Sequence, residues 1–397
     1  MKIDGVPHRS IQAEDGAIRI LDQTLLPWRV EWLRITDANG AAEAIRAMQV
    51  RGAPLIGAVA AYGLALALRQ DPAGLEAVAA MLGETRPTAI NLRWALGRML
   101  EVLRPLPAPR RAARAWAEAG AIAEDDIATC RAIGAHGLPL VQAIAAKNPG
   151  RPVNILTHCN TGWIATVDFG TALSVVYQAH DAGIPVHVWV DETRPRNQGA
   201  LLTAWELGAH GVPHTVIADN AGGHLMQHGE VDIVLVGTDR VTRRGDVANK
   251  IGTYLKALAA QDNQVPFWVA LPHSTLDWAV ADGVAEIPIE DRGEAEVTHT
   301  TGLLPDGTPG SIRTAAPGSR ARNPGFDVTP ARLVSGLITE RGRCAASEAG
   351  LLSLYPERAL AARRGGGLKT GRPDDDRERE RDERFAGPRD HRRGRPA

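Results

Sequence analysis

Cysteine is scarce in this chain of 397 residues: Cys130, Cys159 and Cys344 are its only three, widely spaced and without a CxxC pair. An odd number in that spacing argues against both a disulfide framework and a structural zinc site, so no metal is expected. Long apolar runs are also missing. No stretch reaches the roughly 18 uninterrupted apolar residues a membrane span needs, and the opening MKIDGVPHRS lacks the apolar centre of a secretory signal. These absences read as a cytoplasmic chain with no membrane partner. Charge of one sign is lacking as well. A net charge of −1 leaves no global basic footprint to attract nucleic acid or anionic lipid, so binding must be local. The glycine fingerprint GxGxxG is absent after the first strand of the second half, which counts against a nicotinamide or flavin cofactor.

What is present is ordinary for a folded domain pair: 44% hydrophobic and 23% charged residues. The first part is alanine-rich, with apolar residues at helical spacing over Asn39 to Met48, Leu55 to Arg69, Leu75 to Leu82 and Asn91 to Leu103. Ala17 to Leu21 and Arg29 to Arg34 read as strands of a small antiparallel sheet. After Pro105, Pro107 and Pro109, a long helix over Arg110 to Gly137 connects the two halves. From Pro152 the rhythm becomes strand and helix in alternation. Short apolar runs at Val153 to Leu156, Val186 to Val190, Thr215 to Ile217, Ile233 to Val236 and Phe267 to Ala270 imply a parallel sheet covered on both faces, wound like a Rossmann domain. The fold class is therefore α/β: a helical N-terminal domain over residues 1–125 with a small antiparallel sheet, then a Rossmann-like domain over 126–362. Residues 363–397, dense in mixed charge and nearly free of large apolar side chains, read as a disordered tail.

Polar residues gather where such a sheet places its ligand crevice, at the carboxyl ends of the strands. Gly237 breaks the Ile233 to Val236 run and sets Asp239 at that edge. Asn249 and Lys250 then open a predicted helix running through Ala260, where an amide and an ammonium beside free backbone N–H groups suit a phosphorylated or polyhydroxylated ligand. Cys159, in LTHCNTGWIAT, follows the first strand directly. It is either an inert buried thiol or a reactive one whose pKa a following helix N-terminus lowers. Gln198 falls beside a helix beginning near Gly199 and has an amide to donate to a phosphate oxygen, whereas Asp191, Glu192 and Arg194 divide evenly between structural and functional roles. In VRGAPLIG, Arg51, Gly52 and Ala53 form either a compact anion cradle or a plain connection between helices. Arg86, before Pro87, either reaches the crevice or caps a turn.

Together, RGAPLIG, RPTAINL, THCNTG, DETRPRNQGALLTAWEL, DRVTRRGDVANKIGTY, IPIEDR and NPGFDVTP resemble the methylthioribose-1-phosphate isomerases, in order and in spacing, from about Asp22 to Pro356. That branch shares its family with the regulatory subunits of translation initiation factor eIF2B. The resemblance implies a catalytic pair at Cys159 and Asp239, and substrate-binding positions at Arg51, Gly52, Ala53, Arg86, Gln198, Asn249 and Lys250. It also implies a homodimer, no metal or organic cofactor, and an aldose-ketose isomerisation in methionine salvage. Phosphate on C1 blocks simple ring opening, so a general acid must protonate the ring oxygen, and Asp239 is the candidate. Trp163, Ile164, Thr238 and Arg93 depart from the family pattern; a bulky Trp163 near the site would bear on which C5 substituent fits, whether methylthio, hydrogen or a second phosphate. Two other classes compete. A non-catalytic eIF2B-like scaffold has no need of the Cys159 and Asp239 pair, and a nucleotide-binding dehydrogenase needs the missing glycine fingerprint.

Overall fold

In the computed structural model, which describes residues 1–86 and 89–359, the central element is a seven-stranded sheet. Its strand order is Gly342–Cys344, Gly336–Thr339, Phe267–Ala270, Ile233–Val236, Val153–Thr157, Val186–Asp191 and His214–Ile217. All neighbours run parallel except Gly342–Cys344, which returns antiparallel to Gly336–Thr339. In chain order the six parallel strands stand 3-2-1-4-5-6, the doubly wound arrangement. Val153–Thr157 and Ile233–Val236 lie side by side at the switch point, with Ile155 opposite Ile233. Every residue of Ile233–Val236 is buried, as the unbroken β-branched run predicts.

The helical half forms as its periodicity dictates. Asp37 caps Ala38–Arg46 by accepting the Gly40 N–H at 2.8 Å. Ala53–Gln70 is long and apolar enough to cross a membrane by length and composition alone, but it is mostly buried, and its leucines and alanines belong to the core shared with Ile90–Leu103 and Ala108–Lys147. Ala17–Leu21 pairs with Ile11–Glu14 and with Trp32–Ile35 to make a three-stranded antiparallel sheet. The connecting helix is longer than its pattern suggests, 40 residues over Ala108–Lys147, and it runs through Gly134, Gly137 and Pro139. Packing explains why those residues do not end it. A Cβ on Gly137 would lie 2.9 Å from Val175 Cγ1, so its bareness lets the Ala172–Asp181 helix approach closely. Met1–Leu354 forms one compact unit. The charged segment 363–397 lies outside the described residues.

The predicted helix opening at Asn249 and Lys250 is corrected by the structure. Val247–Lys250 is a strand, paired antiparallel with Arg240–Thr242 on one side and Phe326–Thr329 on the other, in a second sheet of four strands. Gly252, at φ +103°, turns the chain, and the helix begins only at Thr253. Its first turn is already capped: Asp327 accepts the N–H groups of Gly252 at 2.7 Å and Tyr254 at 3.1 Å. The free backbone donors expected beside Asn249 and Lys250 are thus taken by a carboxylate.

Candidate active site

Cys159 follows the first strand and Asp239 follows the fourth, so the topology brings them to the two sides of the switch-point crevice. The Cys159 backbone is held in the left-handed region at φ +67°, a conformation a non-glycine residue adopts only when its surroundings require it. Thr193 and Thr203 impose it: Cys159 N–H donates to Thr193 Oγ1 at 2.8 Å, and the Cys159 carbonyl accepts from Thr203 Oγ1 at 2.7 Å. Asp239 sits in a turn tied by its neighbour. Its N–H donates to the Ala248 carbonyl at 3.0 Å, and Thr238 Oγ1 reaches the same carbonyl at 2.7 Å. Thr238 therefore stitches the turn that presents the carboxylate.

Cys159, Asp239, Arg51, Gly52, Ala53 and Asn249 line one small cavity of about 30 Å³. Thr161 joins them there, and its buried Oγ1 has no hydrogen-bond partner. Such a volume holds a few waters rather than a sugar phosphate, so the substrate enters only when the lining moves. Arg51 is the obvious mobile part. Its guanidinium is spent on Asn160, with Nη2 on the backbone carbonyl at 2.9 Å and Nη1 on the side-chain oxygen. Asn160 is held in turn by Glu206 and by Thr203 Oγ1 at 3.2 Å. Burial pushes the Glu206 carboxyl up to about 7, against the lowering effect of its bonds from Asn160 and the Ile164 N–H.

Gly52 explains itself in the structure. At φ +100° it lets the turn pass so close to the Ala165 backbone that a Cβ would lie 2.5 Å from Ala165 Cα. The cradle reading of Arg51, Gly52 and Ala53 gains a location, because the turn faces Cys159 and Asp239. Arg86 reaches the crevice as well. With Asp239 it lines a neighbouring cavity whose other walls include Ile56, Ile287, Ile289 and Phe326, and it lies 3.9 Å from Glu290. Burial lowers its pKa, while Asp239 and Glu290 pull it back up. Gln198 stands in a third and larger cavity of about 370 Å³, together with Arg51 and Arg196, and its Oε1 has no partner. Arg51 is the residue common to that space and to the Cys159 cavity.

Lys250 lines none of these three cavities. It is buried, its Nζ donating to the Gly325 carbonyl at 2.9 Å and lying 4.7 Å from the centre of the Phe326 ring. Burial lowers its pKa, opposed by Cys159 and Asp239, so its charge is felt at both. Asn249 donates to Thr253 Oγ1 at 3.0 Å. The Cys159 thiol is raised above its ordinary range by burial, with Arg51 and Lys250 drawing it down. A helix N-terminus does not lower it as the sequence suggested, because the chain after Cys159 makes only a short turn of 3₁₀ helix at Trp163–Ala165.

Other expectations shift. Asp191 does not pair with Arg194: it bonds His158 at 2.8 Å and Lys256 at 3.2 Å, while Arg194 donates to the Val297 carbonyl and Thr300 Oγ1. Trp163 is buried in a separate core with Leu26, Leu202 and Trp205 and lines none of the cavities around Cys159 or Asp239. Sequence reasoning missed His158, Thr193, Thr203 and Glu206. The position of His158 and Thr193 after strand ends was a usable signal, whereas Glu206 lies inside a helix and gives none.

Residues 49–346 match the model of the initiation factor 2 subunit family. The chain is 67% identical to the methylthioribose-1-phosphate isomerase of Methylobacterium nodulans, over 91% of this chain and all of that one. Among solved structures it resembles the 5-methylthioribose 1-phosphate isomerase of Pyrococcus horikoshii, with 37% identity and a TM-score of 0.76 over 88% of this chain and 96% of the other. It also resembles a structure from A. fulgidus described as translation initiation factor eIF-2B, subunit delta. There the identity is 36% and the TM-score 0.73, over 88% of this chain and all of the other.

Proposed function

The chain belongs to the initiation factor 2 subunit family, and from that premise we infer that it is an isomerase converting 5-methylthioribose 1-phosphate to 5-methylthioribulose 1-phosphate, a step of methionine salvage. The relatives at high identity carry that activity in their names. The observation that carries the reading to this chain's own residues is the meeting of Cys159 and Asp239 in one cavity with the Arg51 turn and Asn249.

The chemistry opens the ring by breaking the bond from C1 to the ring oxygen, moves one hydrogen from C2 to C1, and turns the C2 alcohol into a ketone. Asp239 supplies the proton to the ring oxygen as that bond breaks and takes one back from the C2 hydroxyl as the ketone forms, so the substrate neither gains nor loses hydrogen. Cys159 enters as a shielded thiol whose deprotonation Arg51 and Lys250 favour, and it serves the hydrogen transfer at C2. On binding, Arg51 exchanges its bonds to Asn160 for the phosphate, with Gln198, Arg86 and Asn249 completing the cradle. The cavity beside Asp239 presents Arg86 and Arg240 together with apolar walls at Ile56, Ile287, Ile289 and Phe326, and those walls suit a methylthio group at C5. Comparing kcat/KM for 5-methylthioribose 1-phosphate, 5-deoxyribose 1-phosphate and ribose 1,5-bisphosphate tests this; preference for the bisphosphate would overturn it.

A scaffold role of the eIF2B kind has the A. fulgidus neighbour in its favour. The retained pair at Cys159 and Asp239 favours catalysis. We further infer a cytoplasmic homodimer without nucleic-acid or membrane partners. Three free thiols suit a reducing compartment, near-zero net charge suits neither polyanion, and the exposed Leu255, Leu258 and Val216 offer apolar surface to a second copy.

A further inference from the structure

His158 precedes Cys159, is fully buried, and has no part in the mechanism above. Its Nδ1 lies 2.8 Å from Asp191 Oδ2 and its Nε2 lies 2.8 Å from the Ile251 carbonyl oxygen. A carbonyl oxygen only accepts, so Nε2 carries hydrogen. Nδ1 meets a carboxylate oxygen that the Lys256 Nζ also approaches, at 3.2 Å, so both ring nitrogens are bonded to fixed partners.

Around it stand Asp191 on the second strand, Asp219 at 4.0 Å from Nδ1, Lys256 on the Thr253–Asp262 helix, and Asp327 on the Phe326–Thr329 strand. His158, Asp191 and Asp219 bring their polar atoms within 4.8 Å of one another. Lys256 ties the cluster together, its Nζ lying 3.2 Å from Asp191 Oδ2 and donating to the Asp219 carbonyl.

The ring links three parts of the crevice. Its own backbone leads into Cys159, Asp191 ends the strand that leads to Thr193 and Gln198, and Ile251 follows Asn249 and Lys250 directly. The approach to the last turn is close: a Cβ on Gly252 would lie 3.0 Å from His158 Cε1. We propose that His158, held between Asp191 and the Ile251 carbonyl, is a positioning residue that locks the Cys159 turn against the Asn249 and Lys250 strand. The proposal rests on the isomerase reading for its kinetic consequence. The ring's two bonds stand apart from that reading.

The test uses the full chain labelled with ¹⁵N-histidine. The wild type is expected to show one histidine whose ring N–H, shielded by its bond to the Ile251 carbonyl, exchanges slowly with water; the signal is assigned by its loss in His158→Gln, and its absence from the wild type overturns the proposal. Kinetically, His158→Gln and Asp191→Asn should each lower kcat by about 10- to 100-fold with a smaller change in KM. Because both act through one bond, the double variant should lose no more than the worse single one. Losses that multiply overturn the positioning role. A wild type that shows the protected ring N–H but turns over no sugar phosphate refutes the isomerase reading and leaves the ring's bonds standing.

Discussion

Replacing Gly52 by alanine is the sharpest test of how the Arg51 turn meets the cavity of Cys159 and Asp239. Gly52 lies at φ +100° and ψ 131°, a region that side-chain-bearing residues rarely adopt, at a cost of about 1–3 kcal/mol. The new methyl would then stand 2.5 Å from Ala165 Cα, against backbone that cannot swing aside as a side chain does. The two effects together remove roughly 3 kcal/mol or more from a domain stability that is typically about 5–15 kcal/mol. Relief requires the turn to retreat from Ala165, and Arg51 and Ala53 retreat with it. A displacement of about 1 Å at positioning residues costs on the order of 100-fold in rate. Gly97 supplies the control. It lies inside Ile90–Leu103 with nothing near its missing Cβ, so Gly97→Ala should be neutral or stabilise by up to about 1 kcal/mol. Urea unfolding and kcat/KM on both variants decide the matter. If Gly52→Ala matches Gly97→Ala in midpoint and activity, the close approach to Ala165 is not a constraint on the site and the reasoning fails.

Other outcomes follow from the buried charges and the cavity walls. Glu206 and Asp126 are each pushed up to about 7 by burial, so the folded state keeps protons that the unfolded state sheds at ordinary carboxyl values. The folded state binds more protons between those limits, and stability is expected to fall as pH rises from about 5 to 8, by roughly 2–4 kcal/mol for Glu206 alone. Glu206→Gln should flatten that slope in unfolding midpoints measured across the range. Glu296 has the opposite sign. Its bonds from Arg292 and Arg196 outweigh burial and hold it at about 2, so its contribution is present above about 4.5 and is lost as pH falls through 2. Asn160→Ala should lower KM by removing a side-chain oxygen that competes with the phosphate for Arg51, while leaving Glu206 short of a donor and costing about 1–3 kcal/mol in thermal or urea unfolding. Trp163→Phe should cost stability without changing the preference among sugars differing at C5, whereas Ile289→Lys should shift kcat/KM toward ribose 1,5-bisphosphate.

Much of this architecture is legible in the residue order, because local pattern and burial coincide. Ile233–Val236 reads as a doubly covered strand since all four side chains are branched and apolar, and the alanine-rich helices before Pro105 hold nearly to the residue. The failures come from contacts distant along the chain. Val247–Lys250 is a strand because Phe326–Thr329, far along the sequence, pairs with it, and nothing within four residues announces that partner. Gly336–Thr339 and Gly342–Cys344 extend the sheet beyond the five strands expected for the same reason. The meeting of Cys159, Asp239 and the Arg51 turn at one cavity was legible because strand ends and glycine mark them. The bonds of Asn160 to Glu206, and the sharing of Asp191 between His158 and Lys256, depend on how helices and strands dock and leave no local trace.

The central claim is that Cys159 and Asp239 act together on a methylthioribose phosphate. It is tested most directly by following ketose formation from 5-methylthioribose 1-phosphate with the wild type, Cys159→Ser and Asp239→Asn, each first shown to be folded. The account predicts turnover by the wild type and a loss of at least about 10²-fold in each variant. No turnover by the wild type, or full turnover by both variants, contradicts it.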